Sequence, residues 1–498
     1  MLPDPDTCYR AYQSRDARFD GRFFTAVTTT GIYCRPICPA RTPLARNVRF
    51  FAFAAAAEEA GFRACRRCRP EAAPGTPSWS GTSAVVSRGL RLIEDGYLDA
   101  HAAPALADRL GLGERQLRRL FEAHVGVAPA QVARTRRLHF ARTLVETTGL
   151  PISELAQASG FRSLRQFNDA FRQAFSQPPT ALRRQAPAKR SSLHELSCGA
   201  GGCRCCSGEE GALTLRLAYR PPLDWQGMLA FFAARALPGV EAVGGETYFR
   251  SFSLEGSCGW FSVRPGSRPH TLQLEVHGGS ARMLLPLVRK VRRLFDLDAD
   301  PTAISTVLGA SAVLKASVRR RGGLRVASAF SPFEGAVRII VGQQVSVAAA
   351  RTVLSRLCQR AGAPLESAPG GITRCFVTPA GLEALSPAEL GMPQSRGRTL
   401  LAVAALARPE LELESLESVP GIGPWTRSLL AMRAGGDPDA FPAGDLALRR
   451  VLPGTSEEEL ERLSEAWRPW RAYAAMHLWA MDLEQQQRRT DHVRAVAT

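Results

Sequence analysis

From residue 84 to residue 184 apolar side chains recur at helical spacing, and the pattern is written twice. Leu106-Ala107, Gly111-Leu112 and Pro129 return 49 residues later as Leu155-Ala156, Gly160-Phe161 and Pro178. In each copy a short helix is expected to stop at the glycine and a second to start just after it. Leu117, Leu120, Phe121 and Val125 form one apolar face, and Leu164, Phe167, Phe171 and Phe175 the other. Two helix-turn-helix units on a rigid linker helix are therefore expected. Their polar faces would present Arg115, Gln116, Arg118 and Arg119, then Arg162, Arg165, Gln166 and Arg172. These are side chains that contact phosphates and guanine edges, and such units can enter successive major grooves. The alternative is a helical bundle with solvated arginines.

From Ala186 to Gly211 the periodicity gives way to Pro, Ser, Gly and Lys-Arg. A flexible linker is expected there. Its Cys198, Cys203, Cys205 and Cys206 read as incidental thiols, because a glycine-rich stretch offers nothing to orient metal ligands. Beyond Leu213 the composition is ordinary globular, and the clearest signal is Leu416-Glu-Ser-Val-Pro-Gly-Ile-Gly-Pro-Trp425-Thr between helical patterns. Gly421 and Gly423 permit a tight hairpin between two helices. The amides of Gly421, Ile422 and Gly423 at a helix N-terminus would bind a DNA phosphate without reading sequence. Asp445 stands 22 residues after Gly423, ahead of Leu-Ala-Leu-Arg-Arg, where it is also a good helix N-cap.

Charge narrows the class of partner. Of 498 residues, 64 are Lys or Arg and 46 Asp or Glu, a formal net charge of +18. Residues 1–190 hold 29 of the basic and 16 of the acidic groups, so the front of the chain is the stronger anchor for an anionic polymer. Length implies three or four domains. Signal peptide and membrane-spanning run are both absent from the pattern, and no membrane partner is expected.

Two close cysteine pairs, Cys34-Arg-Pro-Ile-Cys38 and Cys65-Arg-Arg-Cys68, lie among Arg35, Arg41, Arg46, Arg49, Arg63, Arg66, Arg67 and Arg69. Four thiolates so spaced suit one tetrahedral Zn2+. Two readings stay open on spacing alone: a closed site that only staples a small domain, and a metal-held thiolate facing DNA. Twelve cysteines, several in metal spacing, fit a reducing bacterial cytoplasm or nucleoid better than a disulfide framework.

The run Thr28-Thr-Thr-Gly-Ile-Tyr-Cys34-Arg-Pro-Ile-Cys-Pro-Ala-Arg41, with Asn47-Val-Arg-Phe-Phe and Ala60-Gly-Phe-Arg-Ala-Cys65-Arg-Arg-Cys68-Arg-Pro70, resembles the N-terminal domain of the Ada alkylation-response regulators. The resemblance implies that Cys34 takes a methyl group from a DNA methylphosphotriester and that Cys38, Cys65 and Cys68 complete the zinc site. The tandem units resemble the AraC-type DNA-binding domain. No Pro-Cys-His-Arg segment is present, so direct repair of O6-methylguanine is not expected.

The hairpin and Asp445 resemble the helix-hairpin-helix glycosylase superfamily. Leu223-Asp-Trp-Gln-Gly-Met-Leu-Ala-Phe231, Leu294-Phe-Asp-Leu, Pro332 to Val347 and Trp467 to Trp479 are similar to the AlkA-type 3-methyladenine DNA glycosylases. This implies that Asp445 is the catalytic carboxylate and that Trp425, Trp479 and Phe231 line a pocket for the flipped base. A pure core role is the alternative for Trp425 and Trp479, and Trp467 and Trp470 read as core. Gln344 stands where the family has a leucine wedge, and Leu446 where a tyrosine follows the aspartate. Superfamily members that cut the strand carry a lysine two residues after the second hairpin glycine. Here that residue is Trp425, and no lysine follows Lys315, so a hydrolytic enzyme without lyase activity is expected.

The expectation is a multidomain, mainly α protein. It comprises a small α+β zinc domain (1–78), an all-α tandem helix-turn-helix domain (84–185), the linker (186–211), a small α+β domain (212–286) and an all-α helix-hairpin-helix glycosylase domain (287–498). Expected partners are double-stranded DNA bearing alkylated bases and methylphosphotriesters, promoter DNA and RNA polymerase, met by a monomer. Besides Zn2+, a monovalent cation at the hairpin is a candidate ligand, and no organic cofactor is expected. The competing function is a regulator whose glycosylase half is inactive and serves as a DNA clamp.

Overall fold

A computed structural model of the chain describes residues 2–65, 67–68, 70, 84–185, 212–254, 256–407 and 411–496. Arg66, Arg69 and the linker with its four cysteines lie outside the described residues. The contacts divide the chain into two units. One is Met1–Pro221 with Phe252–Arg292 and Leu297–Ala299; the other is Pro222–Ser251 with Arg293–Asp296 and Asp300–Thr498.

The first unit begins with a helix, Pro5–Gln13, capped by the Asp4 carboxylate. Four short strands follow: β1 (Phe24–Val27), β2 (Ile32–Cys34), β3 (Val48–Phe51) and β4 (Arg63–Ala64), in the order β3-β1-β2-β4. β2 is antiparallel to β1 and parallel to β4, which brings Cys34 near Cys65 at the end of β4. The repeated pattern folds as read. Ala103–Arg109 and Glu114–Val125 form one helical pair, Ile152–Ala158 and Leu164–Phe175 the other, and Pro129–Thr147 joins them. Both stop glycines, Gly111 and Gly160, are left-handed. One apolar assignment is corrected. Leu164 is 44% exposed, because it opens its helix just after the Ser163 cap, before the helix turns its face inward. The antiparallel strands Leu213–Ala218, Thr271–Gly278 and Ser257–Pro265 pair in that order in the same unit.

The second unit is helical apart from two small pairs of strands. Glu241–Gly244 runs against Thr247–Arg250, and Pro364–Ala368 against Ile372–Arg374. Its core gathers Phe333, Val337 and Ile340 of the helix Pro332–Val341 with Leu354, Leu400, Val403 and Leu430. A buried charge quartet ties that helix to the first strand pair. Arg338 pairs with Glu241 and Glu334, both at 2.7 Å, and Arg250 pairs with the same two carboxylates. Burial would raise Glu241, but Arg338 and Arg250 hold it at about 2. Removing one member strands a buried charge, so Glu241→Ala is expected to destabilise the unit by about 3 kcal/mol or more in denaturant unfolding.

Candidate functional sites

In the first unit Cys34, Cys38, Cys65 and Cys68 are all buried, and their sulfur atoms lie within 4.8 Å of one another. Four sulfurs around one zinc stand about 3.8 Å apart, so this donor set fits a tetrahedral divalent ion. So closely packed, four thiolates would repel one another strongly, so the cluster cannot ionise fully without a cation among the sulfurs. Tyr12, from the first helix, is buried in the same cluster.

Arg35 is not part of a DNA-facing surface. It is buried, its Nε donates to Asp20 at 2.8 Å, its Nη1 to the Cys68 carbonyl at 3.2 Å and its amide to Cys68 Sγ at 3.3 Å. A cation one residue after a metal ligand can serve the metal loop itself, and only the partner carboxylate 15 residues upstream could have shown this. Arg41, Arg46, Arg49, Arg63 and Arg67 are not buried. The six arginines expected on the recognition faces, Arg115, Arg118, Arg119, Arg162, Arg165 and Arg172, are exposed; Arg118 pairs with Glu122 at 2.8 Å.

In the second unit the hairpin follows a short 3-10 turn, Leu413–Ser418, rather than an α-helix, and leads into the helix Pro424–Arg433. Gly421 has φ +90°, and a Cβ there would meet Thr399 Oγ1 at 2.7 Å, so glycine is required twice over. Thr399 Oγ1 donates to the Pro420 carbonyl at 2.7 Å, and Gln343 Nε2 to the Gly421 carbonyl and to Thr426 Oγ1, both at 3.0 Å. The Ile422 amide donates to the Val419 carbonyl at 3.2 Å and thus closes the turn. In front of Gly423 a Cβ would meet nothing within 4 Å. Gln344 sits at an exposed loop tip with φ +56°, beside Val345, which is 41% exposed.

Asp445 caps the helix Leu446–Val451, accepting from the amides of Ala447 at 2.9 Å and Leu448 at 3.4 Å. Two indoles complete its shell: Trp425 Nε1 donates to Oδ2 and Trp479 Nε1 to Oδ1, each at 3.1 Å. The two tryptophans are thus joined through the carboxylate by their N–H edges, a role that aromatic character alone does not reveal. Phe231 keeps other company. Its ring carries the guanidinium groups of Arg235 at 3.9 Å and Arg433 at 4.7 Å. Burial pushes these down to about 10 and about 9. Trp467 and Trp470 are buried, Trp467 with its Nε1 on Ser311. Leu446 is 68% exposed.

Four buried sulfurs that fit a metal, paired helix-turn-helix units, a hairpin and a carboxylate accepting four hydrogen bonds define a multidomain DNA-binding protein. Residues 7–71 match the metal binding domain of Ada, 106–185 a helix-turn-helix domain and 214–331 the AlkA N-terminal domain. Over 495 residues the chain is 44% identical to a probable bifunctional transcriptional activator/DNA repair enzyme AlkA of Mycobacterium tuberculosis, covering 96% of this chain and 97% of that one. It is 34% identical over 277 residues to DNA-3-methyladenine glycosylase 2 of Escherichia coli, which covers 53% of this chain and 95% of the relative. Over 136 residues it is 40% identical to the bifunctional transcriptional activator/DNA repair enzyme Ada of Escherichia coli, covering 27% and 37% respectively. The chain belongs to the family of bifunctional transcriptional activator/DNA repair enzymes AlkA, with an Ada-type metal-binding and helix-turn-helix front and a glycosylase. No helix of the described residues is long and apolar enough to cross a membrane.

Proposed function

We propose that the chain is a monofunctional DNA-3-methyladenine glycosylase fused to a zinc-cysteine methylphosphotriester sensor that activates transcription. The observation that supports the enzyme most is Asp445, whose two oxygens accept from two indoles and two amides and are thereby fixed in place. A carboxylate so held stabilises the positive charge that develops on the sugar as the glycosidic bond breaks. The electron pair leaves with the alkylated base, water adds to the sugar, and an abasic site remains. Trp425 and Trp479 would offer their ring faces to the cationic purine. Phe231 would serve as a wall of that pocket rather than a stacking platform, since its ring already carries two guanidinium groups.

DNA would be held by the backbone at Gly421 and Gly423, with Gln344 at the gap left by the flipped base. Ile422 would shape the turn, because its amide is already taken. The Pro420 and Gly421 carbonyls are also satisfied, so a monovalent cation would use the remaining carbonyls of the turn and no step depends on it. With Trp425 in the lysine position, borohydride added during turnover is expected to trap no protein–DNA adduct, and strands are expected to stay whole until heat or base cleaves the abasic site. A trapped adduct would show that an amine takes part.

In the front domain Cys38, Cys65 and Cys68 would hold zinc with Cys34, and the bound metal supplies a sulfur that is deprotonated at neutral pH. Cys34 Sγ then attacks the methyl carbon of a methylphosphotriester. The S–C bond forms, the C–O bond breaks, and the phosphate oxygen keeps the electron pair. Arg115, Arg118, Arg119, Arg162, Arg165 and Arg172 would meet promoter DNA, with the protein acting as a monomer beside RNA polymerase. Mutating Arg118 or Arg165 to Ala is expected to lower the salt dependence of duplex affinity by about one phosphate contact each, read from log affinity against log salt.

A further inference from the structure

Tyr33 is tied by its backbone to two of the four sulfur-bearing residues. It precedes Cys34 in β2, and its carbonyl accepts from the Cys65 amide at 3.0 Å. Its fully buried hydroxyl points the other way, donating to Glu58 Oε1 at 2.8 Å and lying 3.1 Å from His139 Nε2. Glu58 Oε1 is 3.0 Å from His139 Nε2, and its Oε2 accepts from Thr135 Oγ1 at 2.8 Å. Thr135 and His139 stand one turn apart on Pro129–Thr147, the helix that spaces the two recognition helices. Three donors therefore converge on one carboxylate from both sides of a domain junction.

The cluster is enclosed: the side chains of Glu58 and His139 are 12% and 11% exposed. Burial would raise Glu58, yet donation from His139, then Thr135 and Tyr33, holds it below the usual carboxylate range. Around it Phe53 and Ala55, which flank the start of the Glu58 helix, share one core with Leu90, Phe121, Val125 and Val132. Apolar packing brings the surfaces together but tolerates sliding. A buried carboxylate that loses its donors when the surfaces slip does not, so the polar cluster selects one register.

We propose that Glu58 is a positioning residue that locks the cysteine site and the linker helix into one DNA-binding body, so that a change of charge at Cys34 acts on the binding of both recognition helices. This rests on the methyl-acceptor reading of Cys34. Two modules held in fixed register bind DNA as a chelate, and loosening the register lowers the effective concentration of the second module.

The test uses full-length, zinc-loaded protein and a random-sequence duplex, with affinity and its salt dependence measured before and after exposure to methylphosphotriester DNA. Glu58→Ala, and separately the double change Thr135→Val with His139→Leu on the helix side, are expected to weaken the duplex about tenfold and to shrink the gain on methylation. Zinc content, methyl uptake on Cys34 and base release should stay at wild-type levels. Glu58→Gln, which keeps one acceptor oxygen, should recover part of the loss. Variants that retain zinc and methyl uptake and bind with wild-type affinity and gain would overturn the lock. A wild type that takes up no methyl would refute the acceptor reading instead, while the affinity of the unmethylated variants would still decide the lock. If Glu58→Ala fails to fold, the helix-side variant decides alone.

Discussion

Asp445→Asn is expected to slow release of 3-methyladenine from methylated duplex DNA by at least about a hundredfold, a loss of roughly 3 kcal/mol in transition-state stabilisation. Asparagine keeps the shape and one oxygen acceptor, so the cap to Ala447 and the Trp479 indole bond, which share Oδ1, can persist. What it removes is the charge facing the sugar cation. It also puts an NH2 group against an indole N–H, turning one attractive contact into a donor–donor clash. Duplex affinity and thermal stability should change little, because asparagine caps a helix about as well as aspartate does. A companion change, Trp479→Phe, keeps an aromatic ring and deletes one donor. It should lower kcat more than it raises KM, since the carboxylate loses its orientation while binding surface remains.

The second large effect is at the other end of the chain. Cys34→Ser is expected to abolish methyl uptake from methylphosphotriester DNA, because a serine hydroxyl is neither a soft metal ligand nor ionised at neutral pH. In wild type one methyl group should appear on a peptide containing Cys34, with zinc retained. Binding to promoter DNA should then tighten, by an amount that shrinks as salt rises, since one negative charge has left the protein surface facing phosphate. Metal content must be followed in the same samples, as a three-sulfur site holds zinc less well. Label on Cys38, Cys65 or Cys68 instead would overturn the assignment of Cys34, and no label on zinc-loaded protein would make the front domain a structural metal site.

The parts of this molecule that were legible beforehand are those where a local rule needs no distant partner. Left-handed Gly111 and Gly160 end helices, four cysteines in two short spacings meet in one cluster, and Gly421 must turn where no side chain fits. Asp445 was visible both as a cap and as a carboxylate, and it is a cap in fact. What stayed hidden depends on direction or on residues far apart in sequence. An indole can offer a face or an N–H edge, and Trp425 and Trp479 spend their edges on Asp445. An amide in a glycine-rich turn can serve a ligand or the turn, and that of Ile422 serves the turn. Arg35 resembled its exposed neighbours until Asp20 appeared beside it. Gln343, masked by the wedge position next to it, holds the hairpin carbonyl. The cluster of Tyr33, Glu58, Thr135 and His139 spans 106 residues and has no motif at all.

A single incubation can show whether one chain both repairs alkylated bases and senses alkylated backbone. Wild-type protein and Asp445→Asn are each mixed with an excess of duplex DNA treated with a methylating agent. Free bases are then quantified by chromatography, and the protein is digested for mass analysis of the Cys34 peptide. The expected result is many equivalents of 3-methyladenine per wild-type molecule, almost none from Asp445→Asn, and one methyl on Cys34 in both. Equal base release by the two proteins, or none above the protein-free control, would contradict the enzymatic assignment and leave the second half of the chain as a DNA clamp.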